Sequence, residues 1–295
     1  MAEKDKTEKV LEDYKDVFAD IYNTLLFGEH FLEEDKLEPG ATESIYKSDQ
    51  EQLKEQRRDV LKYYRDAGGL LICSYGIENQ STIDGYMPVR VMGYDYATYR
   101  TMLEQEKTIS PVITIVLNFT DKRWNKATSL QEMFDIPVKL QKYVADYKIK
   151  VFDVAFLEDD VIESFTSDFK LVAKFFKLRR LGRMEEIVQD DETAIEHIEA
   201  VMDLFKVFAD DIHYKEIETG LLEKRAKGEK VYMCNVVEAF LQKGYENGML
   251  MTLIYLVRED DYTVEKAARR VGLSVAEFNA LLDEQENEGK KCCQE

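Results

Sequence analysis

The sequence predicts an α/β chain: a mixed β-sheet with helices on its faces over residues 1–160, then a mainly helical region over residues 161–295. Three observations carry this. Two apolar, β-prone runs flank Asp66-Ala67-Gly68-Gly69, which is good turn chemistry for a hairpin. The run PVITIVLNF at 111–119 is continuously apolar and β-branched, as a strand buried on both faces would be. Beyond residue 164 the apolar positions recur almost wholly at helical spacing. With 295 residues, 45% of them hydrophobic, the chain can build one large or two modest domains around a real core.

Taken in order, Val10, Tyr14, Val17, Phe18, Ile21, Leu25 and Leu26 make a helical apolar stripe over residues 10–27 that Gly28 stops. Residues 29–50 are acidic, contain Pro39-Gly40 and read as a loop. Residues 57–65 pair with 70–79 as the hairpin. Residues 87–103 form a helix with Pro88 in its first turn. A helix between two strands of one sheet is a crossover, so part of the sheet is parallel. One more strand falls at 149–156, and helices follow at 164–180, 191–210 and 232–246. A final helical pair lies at 263–283, turning at Gly272-Leu273-Ser274 with Ser274 as a cap.

Forty Lys plus Arg against 59 Asp plus Glu give a net charge of −19, the opposite of the balance a nucleic-acid binder carries. The charge is uneven: residues 1–50 hold 14 acids and 6 bases, whereas residues 51–100 hold 7 of each. No apolar run reaches the roughly 18 residues of a membrane span, and the N-terminus lacks a signal-peptide stretch. Four cysteines, Cys73, Cys234, Cys292 and Cys293, show no metal-binding spacing and read as reduced thiols. A soluble cytoplasmic chain is expected, with no membrane partner.

The most informative stretch is RRDVLKYYRDAGGLLICSYGIENQS at 57–81. Glu78 and Gln80 lie two apart at a strand end and project from one face. With residues 66–69 as the turn, Asp59 falls across from Glu78. Two carboxylates joined by strand pairing can hold a hard cation such as Mg²⁺, and Gln80 can hydrogen-bond a water or a phosphate oxygen. The same residues also fit an ordinary solvent-facing strand end. Residues 169–183 hold Lys170, Lys174, Lys177, Arg179, Arg180 and Arg183 without an acid. Lys170, Lys174 and Lys177 share a face that can meet phosphates or simply be solvated. The closing pair resembles a helix-turn-helix, although its second helix has no Lys or Arg.

The order helix, Asp59, hairpin, Glu78-x-Gln80, helix, strand resembles the PD-(D/E)xK nuclease superfamily, whose core is restriction-endonuclease-like. More closely, the chain resembles the recombination-promoting nuclease family, whose members are also labelled transposases. The matching words are DVFADIYNTLLFGE, RRDVL, GIENQS, YMPVRVMGYDYATY, PVITIVLNF, MCNVVEAFLQKGYENG and TVEKAARRVGLSVAEFNALL. The resemblance implies a DNA endonuclease dependent on Mg²⁺ (or Mn²⁺), with Asp59 and Glu78 as metal ligands. Gln80 stands where the wider superfamily has lysine, and Arg90 is a candidate for the missing charge. Asp20 falls where related nucleases place a further acid; the alternative is that it solvates the helix opposite Val17 and Ile21. Glu29 and His30 are weaker candidates. DNA is the implied partner, bound weakly, with metal assistance and with sensitivity to salt, and the helical C-terminal region is a candidate homodimer surface. The alternative function is a catalytically degenerate nuclease fold acting as a protein-interaction or regulatory module.

Overall fold

The computed structural model describes residues 4–47, 53–105, 108–187, 193–209, 213–258 and 262–282. Helix α1 (Lys4–Glu12) and helix α2 (Lys15–Tyr22) replace the single expected helix. The apolar spacing runs across both, but the backbone breaks at Asp13-Tyr14. There the buried Lys62 ammonium donates to the Asp13 carbonyl (2.7 Å) and also pairs with the Asp13 carboxylate. Residues 23–27 continue as a π-turn, which ends at Gly28 with φ 67°.

Strand β1 (Leu37–Pro39) lies in the segment expected to be loop, followed by β2 (Glu43–Lys47) and β3 (Leu53–Arg57). The hairpin is present as β4 (Val60–Arg65) and β5 (Leu71–Gln80), antiparallel with Val60 opposite Ile77. Helix α3 (Met87–Glu104) crosses over to β6 (Val112–Asn118), which pairs in parallel with β5. Short helix α4 (Val138–Gln141) precedes β7 (Lys150–Asp153), again parallel to β6. The resulting five-stranded mixed sheet has the order β1-β4-β5-β6-β7, and β2 and β3 pair separately. The α/β expectation with a partly parallel sheet therefore holds. A central strand must offer apolar groups to both faces, and Ile77, Ile115, Val116 and Leu117 are fully buried. On one face Val116 packs with Met87 and Val91 of α3. On the other the Tyr22 ring meets Tyr75 edge-on, and its hydroxyl donates to the Gly76 carbonyl (2.6 Å).

Helices α5 (Asp159–Ser164), α6 (Phe169–Leu181), α7 (Ile198–Ala209), α8 (His213–Ala226), α9 (Met233–Arg258) and α10 (Val264–Arg270) complete the described elements, with a last helix over 275–282. The outer ends of the expected helices, at 191–192, 210 and 283, lie outside the described residues. Helix α8 is an addition to the sequence reading. Compact units run Met1–Met233 and Cys234–Glu295. The change from strands to helices near residue 160 is thus a change of element type inside the first unit, where α7 packs on α1 and α6 on α2. The second unit gathers Leu253, Ile254, Ala267, Ala268 and Phe278 into its own core. Ser274 caps the last helix as expected, with its hydroxyl and the Glu277 carboxylate exchanging hydrogen bonds with each other's backbone N–H. Among the described residues no helix is long and apolar enough to cross a membrane.

Candidate functional site

The β4–β5 pairing brings Asp59 and Glu78 together. The backbone N–H of Asp59 donates to Glu78 Oε1 (3.3 Å), and the N–H of Asn79 donates to Asp59 Oδ2 (2.7 Å). Asp59 faces a cleft of about 390 Å³ shared with Gln80, Asp84 and Arg90. Glu78 is only 1% exposed. Burial, and then the negative charge of Asp59, push its carboxyl well above the ordinary range, opposed by the Arg58 and Arg90 guanidiniums. Arg90 reaches to 3.8 Å from Glu78 Oε2 while donating to Asp84 (2.9 Å) and the Tyr94 hydroxyl (3.1 Å). Arg90 thus stands beside Glu78 and lines the cleft of Asp59. Gln80 is buried, and its amide donates to the Asn79 carbonyl (2.6 Å).

Two groups enter from α1, and sequence reasoning missed both. Lys9 Nζ lies 2.6 Å from Asp59 Oδ1. Glu12 is buried, and Asn79 Nδ2 donates to its Oε2 (2.6 Å). Burial raises the Glu12 carboxyl strongly; Asn79 and Lys9 lower it, while Asp59 and Glu78 raise it further. Glu12 Oε1 and Asn79 Oδ1 are buried without a hydrogen-bond partner.

Asp20, expected as the further acid, is committed elsewhere. Its carboxylate accepts from the Thr166 N–H (2.9 Å) and hydroxyl (3.1 Å), and from the Ser167 N–H (2.8 Å) and hydroxyl (2.7 Å). It thereby ties α2 to the chain entering α6. With Glu29 and His30 it lines a different cavity from the one at Asp59. Glu12 of α1, not Asp20 of α2, is the helix acid that feels the charges of Asp59 and Glu78. Among the described residues no three Asp, Glu, His or Cys side chains stand in a ready ligating arrangement.

The model of a family described as "Putative transposase, YhgA-like" matches residues 49–206. The chain belongs to this YhgA-like family. No curated protein and no solved structure matches. The YhgA-like match spans Asp59, Glu78, Gln80 and Arg90 and runs from before β3 to within α7, ending at residue 206. Lys9 and Glu12 precede it, so the two groups contributed by α1 lie outside the stretch that places the chain in the YhgA-like family.

Proposed function

We propose that this YhgA-like protein is a divalent-metal-dependent DNA endonuclease with a restriction-endonuclease-like core of the PD-(D/E)xK type, acting in recombination. The observation that carries the reading is the close approach of Asp59, which lines the cleft, and Glu78, buried beside it with its carboxyl pushed above the ordinary range. Carboxyls forced together in this way repel one another when ionised, and a hard cation relieves that repulsion. The donor set fits Mg²⁺ or Mn²⁺. Asp59, Glu78 and the unpartnered oxygens of Glu12 and Asn79 are all hard oxygen donors, and Mg²⁺ commonly binds through one or two carboxylates and water. The element order, a hairpin followed by a crossover helix and a parallel strand, supports the same core.

Asp59 and Glu78 would hold the cation, with Glu12 beside them. When bound, it would lower the pKa of a water and polarise the phosphoryl oxygen. Gln80 orients the attacking water or a phosphate oxygen through its amide. Arg90 and Lys9 offset the negative charge that grows on the phosphate as the water oxygen bonds to phosphorus and the ester P–O bond breaks. The water's proton leaves to solvent or to the departing oxygen.

A specific observation favours the second reading, a nuclease fold without activity that works as an interaction module: Lys9 already neutralises Asp59. Calorimetric titration with Mn²⁺ separates the two. The endonuclease reading expects binding that Glu78→Ala abolishes, together with Mg²⁺-dependent plasmid nicking that Asp59→Ala and Glu78→Ala remove. No binding and no nicking by the wild-type protein would overturn it.

A further inference from the structure

The basic run at 169–183 divides into two parts with different partners. Lys170 pairs with Glu163 (2.8 Å), Lys177 with Asp159 (2.7 Å) and Arg183 with Glu186, so these charges are already answered. Arg179 and Arg180 instead line a separate cavity of about 770 Å³ together with Lys122 and Asp121. Buried Phe119, Phe176 and Phe208 also line it. Arg180 lies over the Phe156 ring (4.2 Å) and donates to the Ala155 carbonyl (2.8 Å). Arg123 lies over the same ring (4.6 Å). Among the described residues none of these four cations is in an ion pair with a carboxylate. In a chain carrying −19, three cations, Lys122, Arg179 and Arg180, line this cavity beside one lining acid, Asp121, with Arg123 close by over Phe156, a local excess of positive charge that favours an anion.

The cavity adjoins the cleft of Asp59. Ser81, Thr82 and Ile83 line both it and the cleft of Asp59 and Gln80, so the two cavities share a wall at the end of β5. A cavity of this volume lies within the range of small-ligand sites, and phosphate oxygens are the usual partners of clustered Arg and Lys on a nucleic-acid enzyme.

We propose that Lys122, Arg179 and Arg180, with Arg123 next to Arg180 over the Phe156 ring, form a phosphodiester-binding subsite, which holds the DNA backbone on one side of the position cut at Asp59 and Glu78. This rests on the endonuclease reading and deepens it by assigning the DNA path. It also gives the basic run a role through Arg179 and Arg180 rather than through the face formed by Lys170, Lys174 and Lys177.

The test is fluorescence anisotropy with a labelled DNA duplex in EDTA, so that binding is read without cleavage, over a series of salt concentrations. Lys122→Ala/Arg179→Ala changes two exposed side chains and leaves Arg180 packed on Phe156. Each lost phosphate contact makes the plot of log affinity against log salt shallower by about 0.9. The double variant should therefore lose about 1.8 from the slope, while Lys170→Ala/Lys174→Ala should lose almost none. An unchanged slope in the first variant, or loss of slope only in the second, overturns the subsite. Plasmid cleavage in Mg²⁺ is measured in parallel. A wild-type protein that cuts while the first variant keeps its slope overturns the subsite alone. Binding that depends on these cations without any cutting supports the subsite and overturns the endonuclease reading.

Discussion

Replacing Asp95 by alanine should be among the most damaging single changes in the first unit. Asp95 and Arg58 are each 4% exposed, and Arg58 Nη2 donates to Asp95 Oδ1 at 2.5 Å. The Thr114 hydroxyl donates to the same oxygen (2.6 Å) and the Tyr147 hydroxyl to the other. Gly76 makes room for this network, since a Cβ there would fall 2.7 Å from Arg58 Nη1. Truncating Asp95 leaves the guanidinium buried without its counter-charge, at a cost of about 3–5 kcal/mol. At about 2–4 °C per kcal/mol for a unit of this size, the midpoint should drop by roughly 6–20 °C. Urea unfolding followed by circular dichroism measures the loss. Arg58→Met/Asp95→Leu removes both charges and should recover much of it, as a double-mutant cycle would report. Arg58 directly precedes Asp59, so Asp95→Ala should also weaken Mn²⁺ binding. A loss below about 1 kcal/mol, or no recovery in the double variant, would refute the claim that this pair anchors the site.

Other consequences can be measured on the same protein. Because the folded-state pKa of Glu78 is raised, its contribution to stability is fully present below the ordinary carboxylate pKa and is lost as pH rises through the raised value. Melting in EDTA as a function of pH should show that decline, and Glu78→Gln should flatten it. Asp20→Ala should cost about 2–3 kcal/mol in denaturant unfolding, from lost hydrogen bonds to a charged group, and leave Mn²⁺ affinity unchanged; weakened metal binding would return Asp20 to the site. Lys9→Met removes a cation that competes for Asp59. If the half-buried pair contributes about 1 kcal/mol, Mn²⁺ affinity should rise roughly fivefold by calorimetry, and unchanged affinity would show that Lys9 does not compete.

The parts of the fold legible in the sequence were those with strong local signals. The Asp66–Gly69 turn fixed the hairpin register that sets Asp59 against Glu78, and the β-branched run at 112–118 required a buried, parallel neighbour. Strand β1 escaped because it is three residues, Leu37-Glu38-Pro39, too short to show alternation. Helix α8 escaped because it buries only Ile217, Glu218 and Leu221 beneath a charged surface. The break between α1 and α2 was invisible because the apolar spacing continues through it, while its partner, Lys62, is 49 residues away. Glu12 and Lys9 carried no local signal among the 14 acids and 6 bases of the first fifty residues. Only tertiary packing sets them beside Asn79 and Asp59, and only tertiary packing assigns Asp20 to Thr166 and Ser167.

The central claim is tested most directly by incubating supercoiled plasmid with the wild-type protein and with Glu78→Ala, each in Mg²⁺ and in EDTA. Nicked and linear DNA should appear only with wild-type protein in Mg²⁺, and Glu78→Ala should retain the wild-type circular dichroism spectrum. Equal cleavage by Glu78→Ala, or wild-type cleavage that persists in EDTA, would contradict the assignment of Asp59 and Glu78 as the metal-holding pair.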